Sequence, residues 1–125
     1  MFENTDAMAT IAVKDVKAAA KFYEETLGLK PGVSEEQKVR AYRTGNSTIL
    51  VYESSFSGTN KATAATWAVD NVEKVVETLK NKGVRFEHYD MPGINRQGDI
   101  HVAGKRKNAW FKDPDGNILS VVNRS

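Results

Sequence analysis

Cysteine is absent from the 125 residues, which excludes disulfides, thiolate metal sites and thiol nucleophiles. No apolar run approaches the ~20 residues that a membrane-spanning helix needs, and the opening MFENTDAM lacks the basic and apolar regions of a secretion signal. A cytoplasmic protein with no membrane partner is the expectation. Net charge is small: 18 basic against 16 acidic side chains leave +2, and the basic residues are dispersed apart from Lys105, Arg106 and Lys107. Nucleic-acid binders carry a basic face within a recognisable module. None is found, so no nucleic-acid partner is expected. With 40% hydrophobic and 27% charged residues the chain has an ordinary globular composition, sufficient for one core.

What is present is a repeat. In TIAVKDVKAAAKFYEETLGL, residues 10–29, Ile11 and Val13 alternate with small residues as in a half-buried strand. Asp15 then precedes a stripe of Val16, Ala19, Phe22, Tyr23 and Leu27, spaced by three and four, and reads as the N-cap of a helix that Gly28 ends. Thr66, Ala68, Val69 and Val72 stand 56 residues after Thr10, Ala12, Val13 and Val16. In this second copy Asn71 is the cap and Val72, Val75, Val76 and Leu79 form the stripe, with Gly83 at its end. Two copies of one supersecondary unit exclude a solenoid, which needs three or more.

Along the first copy, Lys30-Pro31-Gly32 reads as a turn and residues 34–38 as an exposed charged run. Residues 39–43 and 48–52 read as strands joined by the hairpin signal Thr44-Gly45-Asn46-Ser47. Residues 53–61, rich in Ser and Gly, read as a connector. The second copy gives a strand at 63–69, a helix at 72–82, a strand at 84–89, a long irregular segment at 90–107, and strands at 108–112 and 118–122 around the turn Asp113-Pro114-Asp115-Gly116-Asn117. A connection as long as 90–107 is commonly a functional loop or lid.

The segments AVKDVKAAAKFYEETLGLK, AVDNVEKVVETLKNKGV and WFKDPDGNILSVV resemble, in order, those of the glyoxalase, bleomycin-resistance and extradiol-dioxygenase superfamily, the vicinal oxygen chelate proteins. The resemblance implies an α+β fold: two βαβββ modules, about residues 5–53 and 62–123 of a single domain spanning 1–125, form a curled mixed sheet around a cavity, with helices on the outer face. It also implies a homodimer. Metal-dependent members place His or Gln on the first strand of each module and Glu on the last. Carried onto this chain, those positions are Met8, Ala64, Leu50 and Ser120, none a conventional ligand for a divalent ion. No metal or other cofactor is therefore expected. Met8 and Ala64 are 56 residues apart but Leu50 and Ser120 are 70 apart, which locates an insertion of about 14 residues in the second module, where 90–107 already stands out.

Other donors are His88, His101, Asp99 and Glu53. Asp99 and His101, two residues apart, would share one face of a strand and suit a general base; the plain alternative makes both surface loop residues. His88 reads as capping a sheet edge, and Glu53 should point away from the face of Leu50. By alternation the face of the ligand positions carries Met8, Thr10, Ala12, Thr48, Leu50, Tyr52, Ala64, Thr66, Ala68, Ile118 and Ser120, apolar with scattered hydroxyls. Such a wall either fills a core or grips a small organic ligand by shape, with Trp110 as a further candidate. Trp67 has the parity of the helix-facing core, and that of Trp110 is unresolved. A strongly cationic ligand would require acidic residues that this wall lacks, which favours a neutral or anionic aromatic one. Three functions stay open: metal-free sequestration of a small molecule; a lyase, isomerase or dioxygenase using His101 and Asp99; and a dimeric interaction protein.

Overall fold

A computed structural model describes residues 1–32 and 37–124. Most of the exposed run expected at 34–38 lies outside the described residues. The first module is β1 (Ala9–Val13), α1 (Val16–Ala20) with a π-helical continuation (Lys21–Thr26), β2 (Lys30–Pro31), β3 (Val39–Thr44) and β4 (Ser47–Glu53). The second is β5 (Thr63–Val69), α2 (Val72–Asn81), β6 (Phe86–Glu87), β7 (Asn95–Gln97), β8 (Ile100–Ala103), β9 (Arg106–Lys112) and β10 (Ile118–Asn123). Strands run β1-β4-β3-β2 in one sheet and β5-β10-β9-β8-β7 in the other, with β6 also paired to β9. In both modules the first strand lies parallel to the last. The expected α+β architecture is thus present as two curled sheets that do not close.

Both predicted caps form. Asp15 accepts from the amides of Lys17 and Ala18, and Asn71 from that of Lys74, satisfying first-turn donors that no carbonyl reaches. The single α-helix expected up to Leu27 instead changes after Ala20 to i→i+5 bonding, with the Leu27 amide on the Phe22 carbonyl at 2.9 Å. The segment 90–107, expected to be irregular, contains the hairpin β7–β8, so the insertion in the second module is an added piece of sheet. Its turns use Gly98 and Gly104 at positive φ, 64° and 60°, where a side chain would be strained. Lys30-Pro31, expected as a turn, forms a short edge strand on β3.

One core joins the modules. Ile11, Val13 and Val51 of the first sheet, Phe111, Leu119 and Val121 of the second, and Val16, Tyr23, Val72 and Val76 from the helices are all buried in a single cluster. Phe22 lies 6.5 Å from Phe111 across the modules, and Phe86 packs on Phe111 at 5.6 Å. Burying a side chain the size of Phe111 contributes about 1.5–3 kcal/mol. The helices therefore cover one face of each sheet and leave the other free of helix.

Candidate functional site

On the helix-free face of the first sheet, cross-strand pairing forms rows. Thr10 lies opposite Leu50 and Leu50 opposite Ala41; Ala12 lies opposite Tyr52 and Tyr52 opposite Val39; Thr48 lies opposite Arg43 and Arg43 opposite Lys30. The alternation holds, since the intervening Ile11, Tyr42, Ile49 and Val51 are buried against the helices. Met8 and Tyr52 are 51% and 36% exposed, and Leu50 is half-buried. The carboxylate of Glu53 accepts from the Val16 amide at 3.1 Å, on the helix side as its parity requires.

The corresponding rows of the second sheet are Thr66, Ser120 and Trp110, and then Ala68, Val122, Asn108, His101 and Arg96. The Thr66 and Ser120 hydroxyls are 2.7 Å apart, and Ser120 is only 1% exposed. Between Ile118 and Leu119 the register shifts, so that Thr63 pairs with Ile118 and Ala64 is the extra residue of a bulge. The bulge brings Thr63, which strict alternation omits, under the indole of Trp110: Nε1–H donates to its hydroxyl at 3.1 Å. Trp110 belongs to this face. Trp67 packs against the core and donates to Thr44 of the first module.

His101 and Asp99 part company. His101 is 2% exposed, its Nε2 accepts from the Tyr89 amide at 2.9 Å, and Trp110 stands edge-on at 4.9 Å. An accepting Nε2 carries no proton, so the neutral ring bears it on Nδ1. That Nδ1 and the Tyr89 hydroxyl are buried with no hydrogen-bond partner among the described residues. Burial raises the Tyr89 phenol above its ordinary range, and Glu87 adds to the shift. Asp99 precedes β8 and accepts from Lys80 of α2 and from His88, both at 2.7 Å. These bonds, Lys80 first, hold its carboxyl below the usual range. His88, expected to cap a sheet edge, is instead a hydrogen-bond partner of Asp99. The sequence carried no sign of this separation, because β8 begins only at Ile100.

The residues at the family's ligand positions do not fit a divalent ion. Met8 offers a thioether, Leu50 and Ala64 hydrocarbon, and Ser120 a hydroxyl engaged by Thr66. Among the described residues no three His, Asp or Glu side chains gather as a metal site. A cleft of about 480 Å³ borders Thr48, Thr66, Trp67 and Ala68 between the modules. A wider one of about 690 Å³ lies beside the start of α1, at Asp15, Lys38 and Glu53, away from the aromatic wall.

Two βαβββ modules on one core, each with its sheet open on the side away from the helices, define a paired-module α+β scaffold. The chain belongs to the glyoxalase/bleomycin resistance protein/dioxygenase superfamily, whose family model matches residues 7–121. Among solved structures it is similar to the fosfomycin resistance protein FosX from Listeria monocytogenes, at 15% identity with 98% of this chain and 94% of that chain covered and a TM-score of 0.72. It is similar also to lactoylglutathione lyase from Agrobacterium tumefaciens, at 16% identity, 96% and 94% coverage and a TM-score of 0.70. A third relative is a bleomycin resistance determinant encoded on transposon Tn5, at 17% identity, 96% and 98% coverage and a TM-score of 0.70. Identities this low establish the fold alone. No curated protein matches the chain. No helix among the described residues is long and apolar enough to cross a membrane.

Proposed function

We propose that this protein binds a small organic molecule, without a metal ion, on the helix-free faces of its sheets, and that it does so as a homodimer whose second copy covers those faces. The observation that carries the reading is the face itself: partly exposed Met8 and Tyr52 and half-buried Leu50 and Trp110 on rigid strands, interleaved with the hydroxyls of Thr10, Thr63 and Thr66. Apolar surface with a few fixed polar groups is what a small-molecule site requires. The enzymatic alternative loses its geometric basis, because Asp99 is held by Lys80 and His88 while His101 serves the Tyr89 amide.

The test is a screen of neutral and anionic aromatic compounds by calorimetry on protein stripped with chelator, with light scattering to give the oligomeric state. Binding should survive chelation, and Tyr52→Ala should weaken it about tenfold or more, the loss of a well-packed aromatic contact, without lowering the melting temperature. Binding that disappears on chelation and returns with Zn²⁺, Ni²⁺ or Mn²⁺ would reject the metal-free reading. A monomer at the concentrations used would reject the dimer.

A further inference from the structure

The two sides of the sheets differ in charge far more than the near-balanced composition suggests. Carboxylates occupy the helix side, the caps and the turns. Asp15 and Glu53 hold amides at the start of α1, Glu24 accepts from Arg40 and Tyr42, and Asp113 accepts from Tyr23. On the helix-free rows stand Lys30, Arg43, Arg96, Arg106 and Lys112, against one carboxylate, Glu87.

Within this set one pair is unusual. Glu87 lies 3.6 Å from Lys112, Arg96 donates to the Gly98 carbonyl and Arg106 to Asn108. The side chains of Lys30 and Arg43, directly opposite each other on β2 and β3 and both exposed, make no hydrogen bond or ion pair among the described residues. Like charges in directly opposed positions destabilise a sheet, and no carboxylate among the described residues offsets this pair. An ammonium beside a guanidinium can between them take two oxygens of one carboxylate or phosphoryl group. Thr48 completes the row, and the next rows along the same face, about 7 Å apart by strand geometry, are apolar: Leu50 with Ala41, then Tyr52 with Val39.

We infer that the molecule this protein binds is a small organic anion, its carboxylate or phosphoryl group seated on Lys30 and Arg43 and its apolar body lying along Ala41, Leu50 and Tyr52. This rests on the binding function proposed above and narrows it to one charge class. The row spacing suits a body of one or two rings. A nucleic acid would call for cations following a backbone across a broad surface, whereas here they end an apolar strip.

The experiment titrates the full chain with 1-naphthoate, with its neutral isostere 1-naphthamide and with a short DNA duplex, using wild type, Lys30→Gln, Arg43→Gln and the double variant. Naphthoate should bind at least about tenfold more tightly than naphthamide, and each single variant should remove about tenfold of naphthoate affinity, the scale of one charge-assisted hydrogen bond. Naphthamide affinity should stay constant throughout. The single variants should also melt about 2 °C higher, since the repulsion is relieved, which separates a lost ligand contact from a damaged fold. Equal binding of the two aromatics, or naphthoate affinity indifferent to both substitutions, would overturn the anion inference and leave the binding function standing. No binding of either aromatic would overturn both. Duplex binding tighter than naphthoate and lost in the same variants would replace the small ligand with a nucleic acid.

Discussion

Asp113 bears more hydrogen bonds than its place in a turn suggests. At 4% exposure its carboxylate accepts from the Tyr23 hydroxyl at 2.6 Å, the Asn117 amide and side chain, each at 2.8 Å, and the Asp115 amide at 3.0 Å. Truncation to Ala would strand the buried Tyr23 hydroxyl and take one partner from the Asn117 amide, and Asp113→Ala should cost about 3 kcal/mol in urea unfolding. The tyrosines of the core add a pH dependence. Burial, reinforced by Asp113, drives the Tyr23 phenol far up. Burial and the hydrogen bond to Glu24 push Tyr42 up to about 12, against the opposing effect of Arg40. Unfolded tyrosines lose their protons near pH 10, before these folded ones, so the unfolded state holds fewer protons in that range and stability falls as pH rises. It should be flat in these groups up to about pH 9 and decline from about pH 10 through 12. Tyr42→Phe should flatten part of that decline in denaturation midpoints measured across the range.

Among the elements, those with strong periodicity were legible in the sequence. β1, β4, β5, β9, β10 and α2 follow alternation or helical stripes because a buried face imposes those periods. Two features were not. The hairpin β7–β8 was missed because Asn95–Gln97 is wholly exposed and carries no apolar pattern, leaving only Ile100 and Val102 to mark it. The π-helical turn has no sequence period of its own. The connector at residues 53–61 was legible as a loop but not as a docked one. Gly58 donates its amide to Asn117, and at φ 70° a Cβ there would lie 1.9 Å from the Asp115 carbonyl oxygen. Gly104 has a similar φ of 60° but open space around it. Gly104→Ala should therefore cost only the left-handed backbone strain, about 1–2 kcal/mol. Gly58→Ala should cost clearly more, because backbone must move to admit the methyl group, and urea midpoints of the two variants give the comparison.

For the whole molecule, the repeat revealed two modules but not how they join, because the joining contacts link residues with no sequence relation. Phe22 meets Phe111, Tyr23 meets Asp113, Trp67 donates to Thr44, and Lys82 at the end of α2 donates to the carbonyls of Glu25 and Thr26. The same limit applied to the candidate site. Alternation placed Thr10, Leu50, Tyr52, Thr66 and Ser120 on the helix-free face, but not Thr63, displaced by a bulge, nor did it show the burial of His101 under Tyr89 and Trp110. These contacts make the halves interdependent, since the helix of the first module covers part of the second sheet and neither half encloses its apolar surface alone. A duplicated protein with separable modules would unfold in two steps. Here tryptophan fluorescence, whose reporters Trp67 and Trp110 both lie in the second module, should change at the same urea concentration as far-ultraviolet circular dichroism, which senses both. Separate midpoints would mean that the modules share less than their contacts imply, whereas coincident ones would make the core, rather than the repeat, the unit of folding.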